Sequence, residues 1–342
     1  MQNNTKIFKR RGIMKKIVIA LVLMLFTAMF IATGLSQAQP KPIVMKLAET
    51  HPQDYPTTKG DYEFARLVKE RSNGRIIIEV FHSKQLGEER AVIEQVQLGA
   101  IDMTRVSISA VSSFVRELDA FQLPYLYRDA NHMWKVLNGP IGADIFKKHE
   151  AVSFVGVGWF EGGSRNFYTK KQVKTVSDLK GMKIRVQQAP LMVGMVEALG
   201  AVATPLPYGE VYSALQTGVV DGAENNWPSY LTTSHYEVAK YFITDEHTRV
   251  PEITVGSKRV FDKLSKEDRA LILKAAQDAV PYQIKLWNDF EKVAEKTVRE
   301  KGSVITEVTP AEKQNFMDAM KPLYDKQPAE ILAVVKKIRD VK

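Results

Sequence analysis

"GMKIRVQQAPLMVGMVEALG", residues 181–200, joins two kinds of periodicity in one short stretch. Ile184 and Val186 alternate with Lys183 and Arg185 between Gly181 and Pro190, the pattern of a short strand with a defined end. The apolar run from Ala189 to Gly200 then reads as a helix. A single arginine stands at the mouth of this apolar strand. Taken alone, Arg185 reads as half of an ion pair with an acid on the rim; a second meaning needs further residues that converge on an anion.

The same strand and helix order occurs on either side of this stretch. In the first half, "IVMKLAET" (43–50) reads as a strand, "KGDYEFARLVKERSNG" (59–74) as a helix stopped by Asn73-Gly74, and "RIIIEVF" (75–81) as a β-branched strand. "GEERAVIEQVQLGAIDM" (87–103) reads as a helix with acids in its first turn and a Gly99 exit into another strand. In the second half, "AVATPLP" (201–207) reads as a loop and "GEVYSALQTGVVDGAE" (209–224) as a helix, with Glu210 as its cap. The class is therefore α/β. Two halves of similar order predict two lobes with a ligand cleft between them. The stretch from Ser265 to Gly302 has few helix breakers and reads as one or two helices long enough to brace both lobes.

The N-terminus reads as an export signal. Six basic residues (Lys6, Lys9, Arg10, Arg11, Lys15 and Lys16) and no acid accompany an apolar run from Ile17 to about Leu35, and Ser36-Gln37-Ala38 offers small residues for cleavage after Ala38. The run is nearly long enough to span a bilayer, so a retained anchor is the alternative. Those six charges account for most of the net +9, leaving +3 for residues 39–342 and no reason to expect nucleic acid as a partner. With no cysteine, an exported chain must hold together by its core, and lipidation and a cysteine nucleophile are excluded.

Enzyme signatures are missing. The histidines, at 51, 82, 132, 149, 235 and 247, form no zinc-type pair, and no G-x-S-x-G elbow occurs. "GVGWFEGG" (156–163) superficially resembles a dinucleotide loop, but its glycine spacing is off and "SRNFYTK" after it reads as a strand. Neither a cofactor nor a metal site is expected.

Five blocks in a fixed order carry a family resemblance: "SKQLGEERAVIEQVQLGAIDM" (83–103), "FQLPYLY" (121–127), "DLKGMKIRV" (178–186), "PLPYGEVYSALQTGVVDGAENN" (205–226) and "YEVAKYF" (236–242). Together they resemble the solute-binding proteins of TRAP transporters, the DctP-type family, from about Val44 to Lys321. The resemblance implies a two-lobed periplasmic binding protein of type II-like fold. Such a receptor is a monomer that closes on an organic anion and delivers it to a membrane permease. The expected division is 1–38 as signal peptide, 39–162 with 251–290 as lobe I, and 163–250 with 291–342 as lobe II. A sensor that reports to a membrane receptor is the alternative of another class.

In that family the arginine of the "KIRV" strand pairs with the ligand carboxylate, and Arg185 occupies its place; a planar fork of donors matches two carboxylate oxygens where lysine offers a point charge. Arg165 of "GGSRNFYT" matches a second family arginine, with a surface charge near a hinge as its plainer reading. Asn225 matches the asparagine after "VDGAE", and its plainer reading is a cap on the turn before Pro228. Trp227 and Tyr208 are candidate walls for a sugar ring, although aromatics at this spacing also suit a core. His51, Asp54 and Tyr55 follow the first strand, where α/β folds present ligand loops, and Arg105 or Ser107 ends another strand. Ser107 stands where sialic-acid members carry a glutamate, which disfavours sialic acid. That loss, with Arg105 and the Asn-Asn-Trp run, points to a uronate or aldonate, with a C4-dicarboxylate or keto acid as alternative.

Overall fold

The computed structural model describes residue 14, residues 16–24 and residues 41–342. They fall into two compact units, 1–41 and 42–342. In the first, residues 16–24 are helical and Ile17, Leu21 and Leu23 are exposed. The expected cleavage site at Ser36–Ala38 lies outside the described residues. Among the described residues no helix is long and apolar enough to cross a membrane.

Residues 42–342 carry two sheets. In the first, β1 (Ile43–Glu49), β2 (Ile76–Phe81) and β3 (Met103–Ser107) run parallel, while β4 (Phe154–Phe160) joins at the far side through β11 (Glu252–Ser257), giving the order β2-β1-β3-β11-β4. The second has the order β12-β9-β5-β8-β6-β7, built from β5 (Ser164–Thr169), β6 (Lys183–Val186), β7 (Val202–Pro205), β8 (Gly222–Asn225), β9 (Tyr241–Ile243) and β12 (Val304–Thr306). A short β10 (Thr248–Arg249) pairs with β5, and the chain then re-enters the first sheet as β11 (Glu252–Ser257), antiparallel to β3 and β4. The chain thus passes between the sheets at residues 161–163 and again at 250–251.

Local chemistry accounts for most of these elements and corrects four expectations. The first helix spans Pro56–Arg71, starting before Lys59, because Pro56 occupies its first turn, where the missing N–H costs nothing. The helix after β7 spans only Val211–Thr217: Gly218 adopts φ +80° and ends it, and residues 222–225 become β8. Residues 202–205, read as loop, are an edge strand parallel to β6. Glu210 stands at the N-cap position of Val211–Thr217 but makes no side-chain cap bond.

A helix of 35 residues, Lys266–Glu300, ties the sheets together. At 1.5 Å per residue it is about 52 Å long. Its first half contributes Ile272, Ala275, Ala276 and Ala279 to the core under the first sheet, with Met45, Leu47, Phe64 and Val68; its second half contributes Ala294 and Val298 to the core with Tyr168, Tyr230 and Phe242. Small residues let it lie close to its neighbours. At Gly60 an added Cβ would come 2.8 Å from Gln283 Cγ. Between the two halves, Gln283 clasps the main chain of Glu161 at the crossing point, accepting from its N–H (2.8 Å) and donating to its carbonyl (3.0 Å).

The C-terminal segment divides its contacts between the two sheets' helices. Helix Pro310–Met320 packs on the second-sheet helix Pro190–Ala198, but helix Ala329–Asp340 packs on residues 116–121 and 140–150, which the sequence reading placed in lobe I. Ile331, Val335 and Ile338 supply its buried stripe, and His132 Nε2 lies 2.9 Å from the Ile338 carbonyl.

Candidate functional site

Carboxyl ends of parallel strands from both sheets converge on one cavity, as open α/β folds favour. β1 ends at Glu49 just before His51, β3 at Ser107, β6 just before Gln187, and β8 at Asn225. Antiparallel neighbours bring their beginnings to the same place: Glu252 pairs with Ser107 across β11 and β3, and Arg165 lies one residue before the Asn166–Asn225 pair of β5 and β8. The cavity, about 20 Å³ in volume, lies between His51, Glu89, Ser107 and Glu252 on one side and Arg165, Arg185, Gln187, Tyr208, Asn225, Asn226 and Ser229 on the other.

Arg185 is 2% exposed, and its Nε and Nη2 donate to the carbonyl of Leu206 at 3.0 and 2.7 Å. Among the described residues no carboxylate lies within ion-pair distance of it. Burial lowers its pKa, partly opposed by the more distant Glu224. The expected rim ion pair is therefore absent among the described residues. Beside it, Tyr208 Oη and Gln187 Oε1 are buried without hydrogen-bond partners among the described residues.

Arg165 is the opposite case. Its Nε and Nη2 grip both oxygens of Glu224, the latter at 2.8 Å, and Nη1 donates to Asn225 Oδ1 at 3.1 Å. Burial works to raise the Glu224 carboxyl, but Arg165 and the nearby His247 hold it at about 2. His247 Nδ1 lies 2.8 Å from Asp245 Oδ2 and its Nε2 3.5 Å from Glu224 Oε2. Burial alone would depress this imidazole, yet Asp245 and Glu224 push it up to about 8. Asn225 Oδ1 also accepts from the Asn226 amide (2.9 Å). Arg165 and Asn225 are thus part of the cavity wall, neither a free surface charge nor a turn cap alone.

Behind the opposite wall, Arg105 is fully buried and pairs with two acids. Its Nε donates to Glu49 Oε2 and its Nη1 to Glu252 Oε2, both at 2.5 Å, and its Nη2 meets Glu49 Oε1. Glu49 also accepts from the His51 amide (2.7 Å) and Thr57 Oγ1 (3.2 Å). Burial raises the Glu49 carboxyl, and Arg105 with His51 outweighs it, leaving the group well below the carboxylate range. Burial and Arg105 lower His51 to about 4, so its ring is neutral at pH 7. For Glu252 burial wins, helped by Glu89 and Glu49, and its carboxyl is raised to about 7.

The structure separates the sequence candidates. Arg185, Arg165, Asn225, His51, Ser107 and Tyr208 line the cavity. Asp54 does not: its carboxylate is 97% exposed and lies 4.0 Å from Lys59, because the turn before Pro56 points it to solvent. Trp227 belongs to the core, stacked on Phe242 with centroids 3.7 Å apart. Tyr55 stacks on His51 (3.9 Å) and spends its hydroxyl on Ser229 Oγ (2.9 Å). Arg105 touches His51 and Glu252, with its charge already met. Sequence reading missed Glu89, Gln187, Asn226, Ser229 and Glu252. A signal existed for Glu252, a lone charge at the mouth of the β-branched run "EITVGS", the same pattern that marks Arg185. Among the described residues no group of three or more His, Asp and Glu side chains is placed to hold a metal ion.

Comparison with known proteins agrees with this geometry. A "Solute-binding protein" of Chromohalobacter salexigens is 35% identical over 294 residues, covering 85% of this chain and 87% of that one. A TRAP periplasmic solute-binding protein from Bradyrhizobium sp. BTAi1, solved in complex with α/β-D-galacturonate, is 46% identical with a TM-score of 0.85, covering 86% of this chain and 99% of that one. Another from Pseudomonas putida F1, with bound D-glucuronate, is 38% identical with a TM-score of 0.85, covering 88% and 98%. Residues 47–330 match the family described as bacterial extracellular solute-binding protein, family 7. With two sheets, the long bracing helix and a cavity at the strand ends, the chain belongs to this family, the DctP-type solute-binding proteins of TRAP transporters.

Proposed function

We propose that this protein is a periplasmic receptor that captures a sugar acid, a uronate or aldonate, by lobe closure and hands it to a TRAP permease in the membrane. The observation that carries this reading is Arg185, a buried guanidinium bonded to a main-chain carbonyl and left without a carboxylate partner among the described residues. A ligand carboxylate supplies the missing partner in the two-pronged geometry a guanidinium favours. Tyr208 Oη and Gln187 Oε1, both without partners among the described residues, are matched to hydroxyls of the same ligand, beside the Asn225 amide in the cavity wall. The galacturonate and glucuronate of the two solved relatives are acids of this class.

Binding, with no chemistry, is the activity: the charged groups around the cavity are arginines set against acids, with the remaining polar atoms in place to meet a solute. The mature receptor starts after Ala38 and works as a monomer. Its lobes are the two sheets with their helices, residues 39–162 with 251–290 and 163–250 with 291–328, and the last helix straps the second to the first. A sub-micromolar ligand needs about 8 to 10 kcal/mol, of which a buried two-pronged pair supplies a few.

A thermal-shift screen against uronates, aldonates, C4-dicarboxylates, keto acids and sialic acid tests the reading. At a hundredfold excess over Kd the folded protein gains about 2.7 kcal/mol, a rise in Tm of a few degrees. Stabilisation is expected with sugar acids and not with the others. No shift with any carboxylate would remove the role given to Arg185.

A further inference from the structure

The cavity is electrically lopsided. On the second-sheet side Arg165 is balanced by Glu224, and Arg185 adds a positive charge that no acid within 4 Å meets among the described residues. On the first-sheet side one guanidinium, Arg105, is shared by Glu49 and Glu252. Glu89, on the same wall, accepts the Ser107 amide (3.3 Å) and has no cationic partner within 4 Å among the described residues. Two carboxyl groups thus share the one guanidinium of the first-sheet side, and Glu89, unpaired within 4 Å among the described residues, lines the cavity between that end and Arg185.

We propose that Glu252, with Glu89 beside it, sets the charge requirement of the cavity: it admits an acid with one carboxylate and a hydroxyl-bearing far end, and rejects the dicarboxylate of the same length. This rests on the sugar-acid reading of the site and adds to it which acids are refused. The physical basis is discrimination by repulsion. A hydroxyl donates to Glu252 or Glu89, whereas a second carboxylate meets like charge where water cannot screen it. One wall attracts the acid group and the other turns a second acid group away.

The titration of Glu252 offers a way to switch this off without mutation. The groups that face it are Arg105 and Glu49 from the first sheet, Glu89 from the helix after β2, Arg165 from the second sheet, and Asp61 and Tyr55 beside the first helix. Burial, with Glu89 and Glu49 reinforcing it against Arg105, places the carboxyl at about 7. Glu252 is then charged at pH 8 and largely neutral at pH 6, whereas an aldaric acid stays doubly ionised at both.

Isothermal titration calorimetry of the purified protein with galactose, galacturonate and galactarate separates the terms, since the three share a carbon skeleton and carry zero, one and two carboxylates. At pH 8 galacturonate is expected to bind at least a hundredfold tighter than galactarate, and Glu252→Gln to narrow that ratio at least tenfold. If Glu252→Gln does not fold, Glu89→Gln and the wild type at pH 6 read the same ratio, and both are expected to narrow it. Galactarate binding within threefold of galacturonate at pH 8, or a ratio that neither variant nor pH moves, overturns the inference while leaving the receptor standing. Failure of both acids to bind would sink the sugar-acid reading and this inference together.

Discussion

Arg105 and Arg185 are both buried, both sit on strands, and both border one cavity, yet their surroundings differ in kind. Arg105 is met by Glu49 and Glu252 from neighbouring strands, so its charge is settled inside the chain. Arg185 bonds to the Leu206 carbonyl and meets no acid within 4 Å among the described residues. Burying a charge is costly unless it is paired, and a guanidinium left half-matched in a cavity wall is poised for a partner that arrives from outside. Burial alone does not separate a structural arginine from a binding one. The count of acids around it does.

That contrast breaks if the two arginines respond alike to removal. The largest effect is expected for Arg105→Ala, which strands Glu49 and Glu252 in a buried site: a loss of about 3 to 5 kcal/mol of stability, read by urea unfolding. Arg185→Ala should instead weaken sugar-acid binding by at least tenfold, about 1.4 kcal/mol or more, with Tm within a few degrees of wild type. An unchanged dissociation constant would take Arg185 out of the site, and a collapse of Tm would make it another Arg105.

Two smaller effects sharpen the comparison at neighbouring charges. His247 titrates at about 8, above the ordinary 6.5, because Asp245 and Glu224 overcome its burial. The folded state therefore binds a proton that the unfolded chain has released, and this stabilisation is complete below pH 6.5 and lost as pH rises through 8. The stability gap between wild type and His247→Gln should shrink by about 2 kcal/mol between pH 6 and pH 9, measured by urea unfolding. A gap that is flat with pH would place a neutral histidine there. The smallest effect is expected at Asp61, a fully buried carboxyl whose two oxygens have no hydrogen-bond partner among the described residues and whose pKa burial and Glu49 push up. A carboxyl that burial pushes toward its neutral form loses little on becoming an amide. Asp61→Asn should change stability by less than about 1 kcal/mol, whereas a large loss would mean that the carboxylate is ionised.

How much of this was legible in the chain follows from the range of the forces involved. Local signals were read well: Gly99 does end its helix at φ +82°, and the "KIRV" strand does carry a buried arginine at its mouth. The run 209–224 was overextended as a helix because its apolar residues continue past Gly218, and only pairing of residues 222–225 with β5 and β6 makes them a strand. Trp227 and Asp54 were misplaced for a related reason. Whether an aromatic faces a cavity or a core, and whether an acid faces a cleft or water, depends on neighbours that the local sequence does not name.

Local sequence was enough for the α/β class, the strand and helix order of residues 43–103 and 181–200, the bracing helix and the identity of Arg185 as a candidate, because periodicity, turn residues and propensity act over a few positions. Tertiary structure alone decided which charges are met. Arg105 finds Glu49 at a separation of 56 residues and Glu252 at 147, and Arg165 finds Glu224 at 59. Those meetings are set by strand register across two sheets, and register arises from the packing of the whole core.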